Sequence, residues 1–383
     1  MLPAEAVVDL CAIAQNLRAI RGVLHPATQL LAVVKANAYG HGCLEVARSL
    51  VAAGADHLGV ACVEEGIALR LAGVQLPILV MGPTLPDAAE EILEYQLDPV
   101  VCDLPVAERL SHVAKQAGRP IRVHLEVDTG MARLGVSPGE APAYGAKLAG
   151  LPGLRLEGLM SHFASAEADE LASAREQLAR FLEVDRALRA AGLLAARRHM
   201  ANSAGLLALP DSHFEMVRPG ILLYGYAPSP RLGAGLALRP ALTLRTRIAA
   251  LRDVPPGQGV SYGHTFVAPR ALRLATLPLG YADGVRRALS NRGEVLVRGR
   301  RAPIVGRVCM DMTVVDVSAI PGTAVGDEVV LIGRQGDAAI TADEVAAAAG
   351  TISYEVLAGI GPRVPRLYAG GLSIADCGMR NAD

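Results

Sequence analysis

Lys35 closes the apolar run Leu31-Ala-Val-Val-Lys35 and opens Ala36-Asn-Ala-Tyr39-Gly40-His41-Gly42. If the run is a strand, side-chain alternation aims Leu31, Val33 and Lys35 at one face. A lysine desolvated at a strand end loses proton affinity and becomes an amine nucleophile for a carbonyl, which is what Schiff-base chemistry requires. Taken alone, a lysine emerging into solvent is the plainer account, so its neighbours decide. Asn202-Ser203 opens a helical stretch, and Arg218-Pro219-Gly220-Ile221 carries a glycine that lets backbone approach closely; a corner of this kind holds phosphate. Ser203 also fits a helix N-cap. His162 and His199 each fit an ordinary core histidine. The segment Arg122-Val-His-Leu-Glu-Val-Asp128 puts His124, Glu126 and Asp128 on one face, with Arg133 in the loop beyond. Inward charges must be paired, because isolated buried ions are too costly. Arg133 is able to grip a carboxylate bidentately or to stay solvated. Further on, Ser261-Tyr262-Gly263, Gly280-Tyr281 and Met310-Asp311 interrupt strand-like runs and read, in isolation, as turns. No HExxH, clustered Cys/His set or Walker loop occurs, so neither metal catalysis nor triphosphate hydrolysis has support.

The elements that must position these residues alternate between about residues 29 and 225. Strand candidates are Gln29–Lys35, His57–Ala61, Pro77–Met81, Asp98–Cys102, Ile121–Val127, Leu154–Met160, Arg198–Ala201 and Phe214–Arg218. Amphipathic stretches such as Leu44–Ala53, Leu104–Ala117 and Glu170–Ala191 lie between them. Eight such units predict an α/β fold, an N-terminal (β/α)8 TIM-type barrel over residues 1–236. An open doubly wound sheet is the weaker choice, since no GxGxxG follows the first strand. After Pro240 the texture turns to short alternating strands between Gly/Pro turns, which predicts a mostly β domain over residues 237–383. Its expected strands include Glu294–Val297, Ile304–Val308, Thr313–Val317 and Glu328–Ile332. Thr341 and Glu344 form a capping box before one helix.

Composition narrows the class of partner. In 383 residues the net charge is −1, with Lys and Arg spread along the chain, so no nucleic acid or anionic membrane surface is favoured as partner. A chain that is 51% hydrophobic and only 20% charged is not disordered, and with four Phe and no Trp its core must be built from Ala, Leu and Val. The six cysteines form no CxxC, the first residues lack a signal-peptide pattern and no run is long enough to span a membrane. A cytoplasmic enzyme acting on a small molecule is the expectation.

The strings together resemble the alanine racemases, pyridoxal-phosphate enzymes built from a (β/α)8 barrel plus a β domain. AVVKANAYGHG, DTGMARLG, SHFASAE, ANSAG, VRPGILLYG, VSYG, GYADGVRR, GRVCMDM and ISYE occur in the family's order over nearly the whole chain. The resemblance implies interconversion of L- and D-alanine through a pyridoxal 5'-phosphate external aldimine. Lys35 would hold the cofactor and serve D-alanine, and Tyr262 would be the base on the opposite face. Tyr39, Asn202, Ser203, Gly220, Ile221 and Tyr354 would surround the phosphate. Arg218 would face the pyridine nitrogen, flanked by His162 and His199, and Arg133 and the Met310 N–H would take the substrate carboxylate. The family's active form is a homodimer with shared sites, so Tyr262, Tyr281 and Met310, supported by Asp311, would serve the partner's Lys35. At Glu126 many members carry a carbamylated lysine. A permanent carboxylate there is expected to pair with Arg133, directly or nearly so, the alternative being Arg122. A broad-specificity or serine racemase, a related decarboxylase and a non-catalytic pyridoxal-phosphate carrier are the competing readings.

Overall fold

The computed structural model describes residues 4–371, and by contact density the chain divides into two units. One is formed mainly by Ile13–Ala38 and Cys43–Arg239. Eight parallel strands follow one another in it: Gln29–Val33, His57–Val60, Ile78–Val80, Asp98–Val101, Ile121–Glu126, Leu154–Met160, Arg197–His199 and Met216–Val217. Each pairs with the next as far as the seventh, and the eighth returns to the first through Met216 opposite Gln29. The Arg218 N–H bonded to Ala201 O at 2.8 Å closes the ring between strands seven and eight. The first strand reads as a nearly continuous apolar run because helices cover one face and the barrel core the other; Leu30 to Val34 are all buried, whereas the fifth and seventh strands carry charged residues and histidines.

The covering helices follow from spacing and caps. In Leu104–Ala117, Val106, Ala107, Leu110, Val113 and Ala114 are buried at helical intervals. Pro105 sits in its first turn, and Gly118 ends it in the left-handed conformation that glycine adopts without a Cβ penalty.

The other unit comprises residues 4–12, 39–42 and 240–371. Its main sheet orders Arg300–Pro303, Glu294–Val297, Glu328–Gln335, Leu242–Arg247, Ala4–Asp9 and Arg366–Ala369, with Ala338–Ile340 added to Glu328–Gln335. A second sheet joins Ala250–Val254, Leu272–Leu277 and Thr313–Asp316.

Three expectations are corrected here. The opening segment was placed with the barrel, yet Ala4–Asp9 pairs antiparallel with Leu242–Arg247 and parallel with Arg366–Ala369, long-range pairings that no local pattern encodes. The strand expected at Ile304–Val308 lies earlier, at Arg300–Pro303, with Ile304 making only an isolated bridge to Val315. The helix after Thr341 keeps half of its capping box: Thr341 Oγ1 accepts the Glu344 N–H at 3.1 Å, while the Glu344 carboxylate turns to Arg301.

Candidate active site

The strand that bears Lys35 stops at Val33, two residues short of expectation. After the Val34 N–H bonds Gly59 O at 2.8 Å the backbone leaves the ladder, and Ala36, Asn37, Ala38 and Tyr39 all adopt φ between 52° and 54°. A left-handed turn of four non-glycine residues therefore sets the Lys35 direction, not strand alternation. Such residues cost roughly 1–2 kcal/mol each, so the turn needs outside support. Glu65 supplies part of it, accepting the Ala36 N–H at 2.7 Å and the Ala61 N–H at 2.8 Å, and Asn37 Oδ1 accepts the Cys43 N–H at 2.8 Å. Glu65 escaped sequence reading because a glutamate in a helix's first turn ordinarily needs no further explanation. Burial is the main cause that lowers the Lys35 pKa; Arg133 and Arg218 lower it further, and Glu65 opposes them.

Arg218 is buried, and both of its Nη groups are bonded. Its Nη1 donates to His199 O at 2.7 Å and to His199 Nδ1 at 2.8 Å. Its Nη2 donates to Ser161 O at 2.8 Å, with His162 Nδ1 and Met200 O both at 3.3 Å. Burial pushes its pKa down to about 10, with Glu126 opposing and Arg133 adding to the fall, so it stays protonated at neutral pH. His162 and His199 are held well below the ordinary histidine value by burial and by the Arg218 charge, so both are neutral. Both are tied to Arg218, and His199, fully buried with both ring nitrogens partnered, also fits the ordinary core histidine of the plainer account.

At the ends of strands seven and eight, Asn202 rather than Ser203 is the helix N-cap, its Oδ1 accepting the Gly205 N–H at 2.9 Å. Ser203 is thereby released to accept the Gly220 N–H at 2.9 Å, and its hydroxyl proton has no acceptor among the described residues. Ile221 is fully buried beside Gly220.

The fifth strand carries Glu126 into a buried position without the expected hydrogen bond to Arg133. Its Oε2 has no hydrogen-bond partner, and burial pushes its pKa up to about 7 against the charges of Arg218 first and Arg133 second. Arg122 is not its partner either, being paired with Asp98 at 2.9 Å. Arg133 is exposed, on a loop braced by Asp128, whose Oδ1 accepts the N–H groups of Gly130, Met131 and Ala132 at 2.8–3.0 Å.

Within the β unit three separate strings meet. Ser261 Oγ donates to Arg307 O at 2.6 Å, and the Tyr281 and Ala282 N–H groups bond Cys309 O and Met310 O, both at 3.0 Å. A Cβ on Gly280 would overlap the carbonyls of Cys309 and Met310, so only glycine permits this approach. The result displays Tyr262 (71% exposed), Met310 (53%) and Tyr281 (43%) instead of burying them. Arg363 bridges Asp283 and Asp311, both at 2.9 Å, and so fixes the residue after Met310. In the same unit the rings of Tyr39 and Tyr354 lie 6.0 Å apart, and burial pushes the Tyr39 pKa up to about 12.

At the carboxyl ends of the barrel strands stand a desolvated lysine and a buried arginine bonded to two neutral histidines, while the β unit displays tyrosine and methionine. Residues 8–228 match the family described as alanine racemase, N-terminal domain, and residues 241–368 match its C-terminal domain. The chain is 46% identical over 366 residues to the alanine racemase of Desulfovibrio desulfuricans, covering 96% of this chain and 98% of that one. Among solved structures, the alanine racemase of the D-cycloserine producer Streptomyces lavendulae superposes with a TM-score of 0.92 at 40% identity, covering 97% and 98% of the two chains. The alanine racemase of Bacillus anthracis with bound L-Ala-P gives 0.91 at 38% identity, covering 96% and 95%. The chain belongs to the alanine racemase family.

Proposed function

We propose that the protein interconverts L-alanine and D-alanine with pyridoxal 5'-phosphate carried on Lys35. The observation that carries this reading is Lys35 at the carboxyl end of the first strand in a barrel of this family, its proton affinity lowered by burial and by the charges of Arg133 and Arg218. The donor set suits the cofactor. Ser203 Oγ accepts the Gly220 N–H and keeps its own hydroxyl proton, a donor that a phosphate at this corner would find. Both Arg218 Nη groups are committed, while Nε makes no bond among the described residues, leaving one donor for a pyridine nitrogen. Tyr39, Ile221 and Tyr354 are assigned to the same phosphate on the family resemblance.

When bound, the cofactor supplies an electron-withdrawing ring that acidifies the Cα–H of an attached amino acid. Arg218 tempers that withdrawal, because a guanidinium only donates and cannot protonate the ring nitrogen as a carboxylic acid would. Lys35, its proton affinity lowered, takes or returns the Cα proton on one face. The partner subunit's Tyr262 does the same on the opposite face, so removal on one side and delivery on the other inverts the centre. His162 is neutral and bonded to Arg218; its place between that guanidinium and the phenol is assigned on the family resemblance. Arg133 and the Met310 N–H of the partner subunit hold the substrate carboxylate; Glu126, its pKa pushed up to about 7 by burial, is only partly ionised at neutral pH and makes no hydrogen bond to Arg133.

The test is the absorbance of the bound cofactor before and after Lys35→Ala, measured together with racemisation of L-alanine. The band characteristic of the lysine-held cofactor should vanish and racemisation should fall by on the order of a thousandfold or more. A retained band in the variant sinks the assignment. Rates with serine, lysine and arginine alongside alanine decide whether specificity is narrow.

A further inference from the structure

We infer that His124 is a positioning residue: by accepting the His199 N–H it fixes that ring, and through it the Arg218 guanidinium, at the barrel mouth. The argument starts from donor inventory. Arg218 Nη1 only donates, so the His199 Nδ1 it faces at 2.8 Å must be unprotonated. The proton of neutral His199 then sits on Nε2, 2.7 Å from His124 Nδ1, which must accept it. A directed chain results, Arg218 to His199 to His124, with every ring in one tautomer. Removing the last acceptor frees His199 to place its proton on Nδ1, where it would oppose the Arg218 donor.

The barrel sacrifices regularity to seat this ring. The pairing of strands five and six slips between Val123 and His124, so Val123 faces Leu156 but His124 faces Gly158, with Glu157 as the extra residue. A Cβ at Gly158 would overlap the His124 ring. A bulge and an interior strand glycine both weaken a sheet, and here both open space at the same imidazole. The two rings meet edge to face, their centroids 4.9 Å apart, and both are buried, so water is no substitute acceptor.

The inference rests on the reading that Arg218 faces the cofactor. The test uses the cofactor-loaded protein labelled with 15N-histidine, in which long-range 1H–15N correlations report each ring's tautomer and His199→Gln assigns the signals. His199 should be protonated at Nε2, should remain so in His124→Asn, whose Oδ1 replaces Nδ1, and should gain the Nδ1–H form in His124→Leu. In His124→Leu, kcat should fall about tenfold, the equivalent of one hydrogen bond, with KM little changed, and His124→Asn should restore most of it. Gly158→Ala should reproduce the loss, yet add nothing in a His124→Ala background. An Nδ1–H His199 in the unaltered protein overturns the inference with no variant required, and so does an unchanged kcat in His124→Leu. Failure of the Arg218 reading is distinguished separately, by an Arg218→Ala variant whose cofactor absorbance is unaltered.

Discussion

At the scale of single residues the charges of Arg218 and Arg133 act on one deeply buried carboxylate, Glu126. Its consequence for stability follows from proton counting. The unfolded chain releases the Glu126 proton near 4.5, whereas the folded chain holds it until about 7. Between those values the folded state binds more protons, so its stability falls as pH rises through that window and stays low above it. The loss is on the order of 3 kcal/mol. Glu126→Gln removes it, and urea denaturation of the cofactor-free protein at pH 5 and pH 8 should show the variant gaining on the parent at the higher pH. Parallel behaviour at both pH values would falsify the raised pKa. Glu126 also shows where sequence reading stopped: alternation showed that it points inward with His124, but whether it touches Arg133 depends on a loop conformation fixed by Asp128.

At the scale of elements, the turn Ala36–Tyr39 concentrates backbone strain immediately beyond Lys35. Its φ values near 53° are tolerated by alanine and asparagine but not by β-branched side chains. Ala36→Val, at an exposed position that buries nothing, is therefore expected to destabilise the fold by about 1–3 kcal/mol and to weaken cofactor retention. A urea midpoint equal to that of the parent would show that the turn is not left-handed. Nothing in the string Lys-Ala-Asn-Ala-Tyr signals such a turn, since alanine favours right-handed helix. The turn exists because the Glu65 carboxylate and the backbone around it fit only that geometry. The short helix Ser203–Ala208 is a simpler case, with Asn202 in a position any capping rule would accept. Asn202→Ala should cost about 1 kcal/mol of stability, seen as a lowered denaturation midpoint. No change would mean that the cap is replaced by water.

At the scale of the whole molecule, the exposure of Tyr262, Tyr281 and Met310 is the feature a lone chain leaves unexplained, since large apolar side chains clustered at a surface mark a binding face. If each site takes Lys35 from one subunit and Tyr262 from the other, two inactive variants must complement. Mixed by reversible denaturation, Lys35→Ala and Tyr262→Ala protomers should form heterodimers with one intact site, recovering up to about a quarter of parental activity. Activity that stays at the level of the separate variants would place both residues in one subunit's site.

The sequence by itself determined the barrel and its eight strands to within a few residues, because short strand-like runs alternate with longer amphipathic stretches that must cover them as helices. It also determined which residues could carry chemistry, from their types at strand ends. Only the tertiary structure decided how those residues are held: the left-handed turn beneath Lys35, the exchange of roles between Asn202 and Ser203, the joining of Ala4–Asp9 to the β unit, and the acceptor that His124 offers to His199. Apart from the Asn202 cap, which reaches only to Gly205, these depend on contacts between segments far apart in the chain, and periodicity, which records only which face a residue shows, carries no information about what lies opposite it.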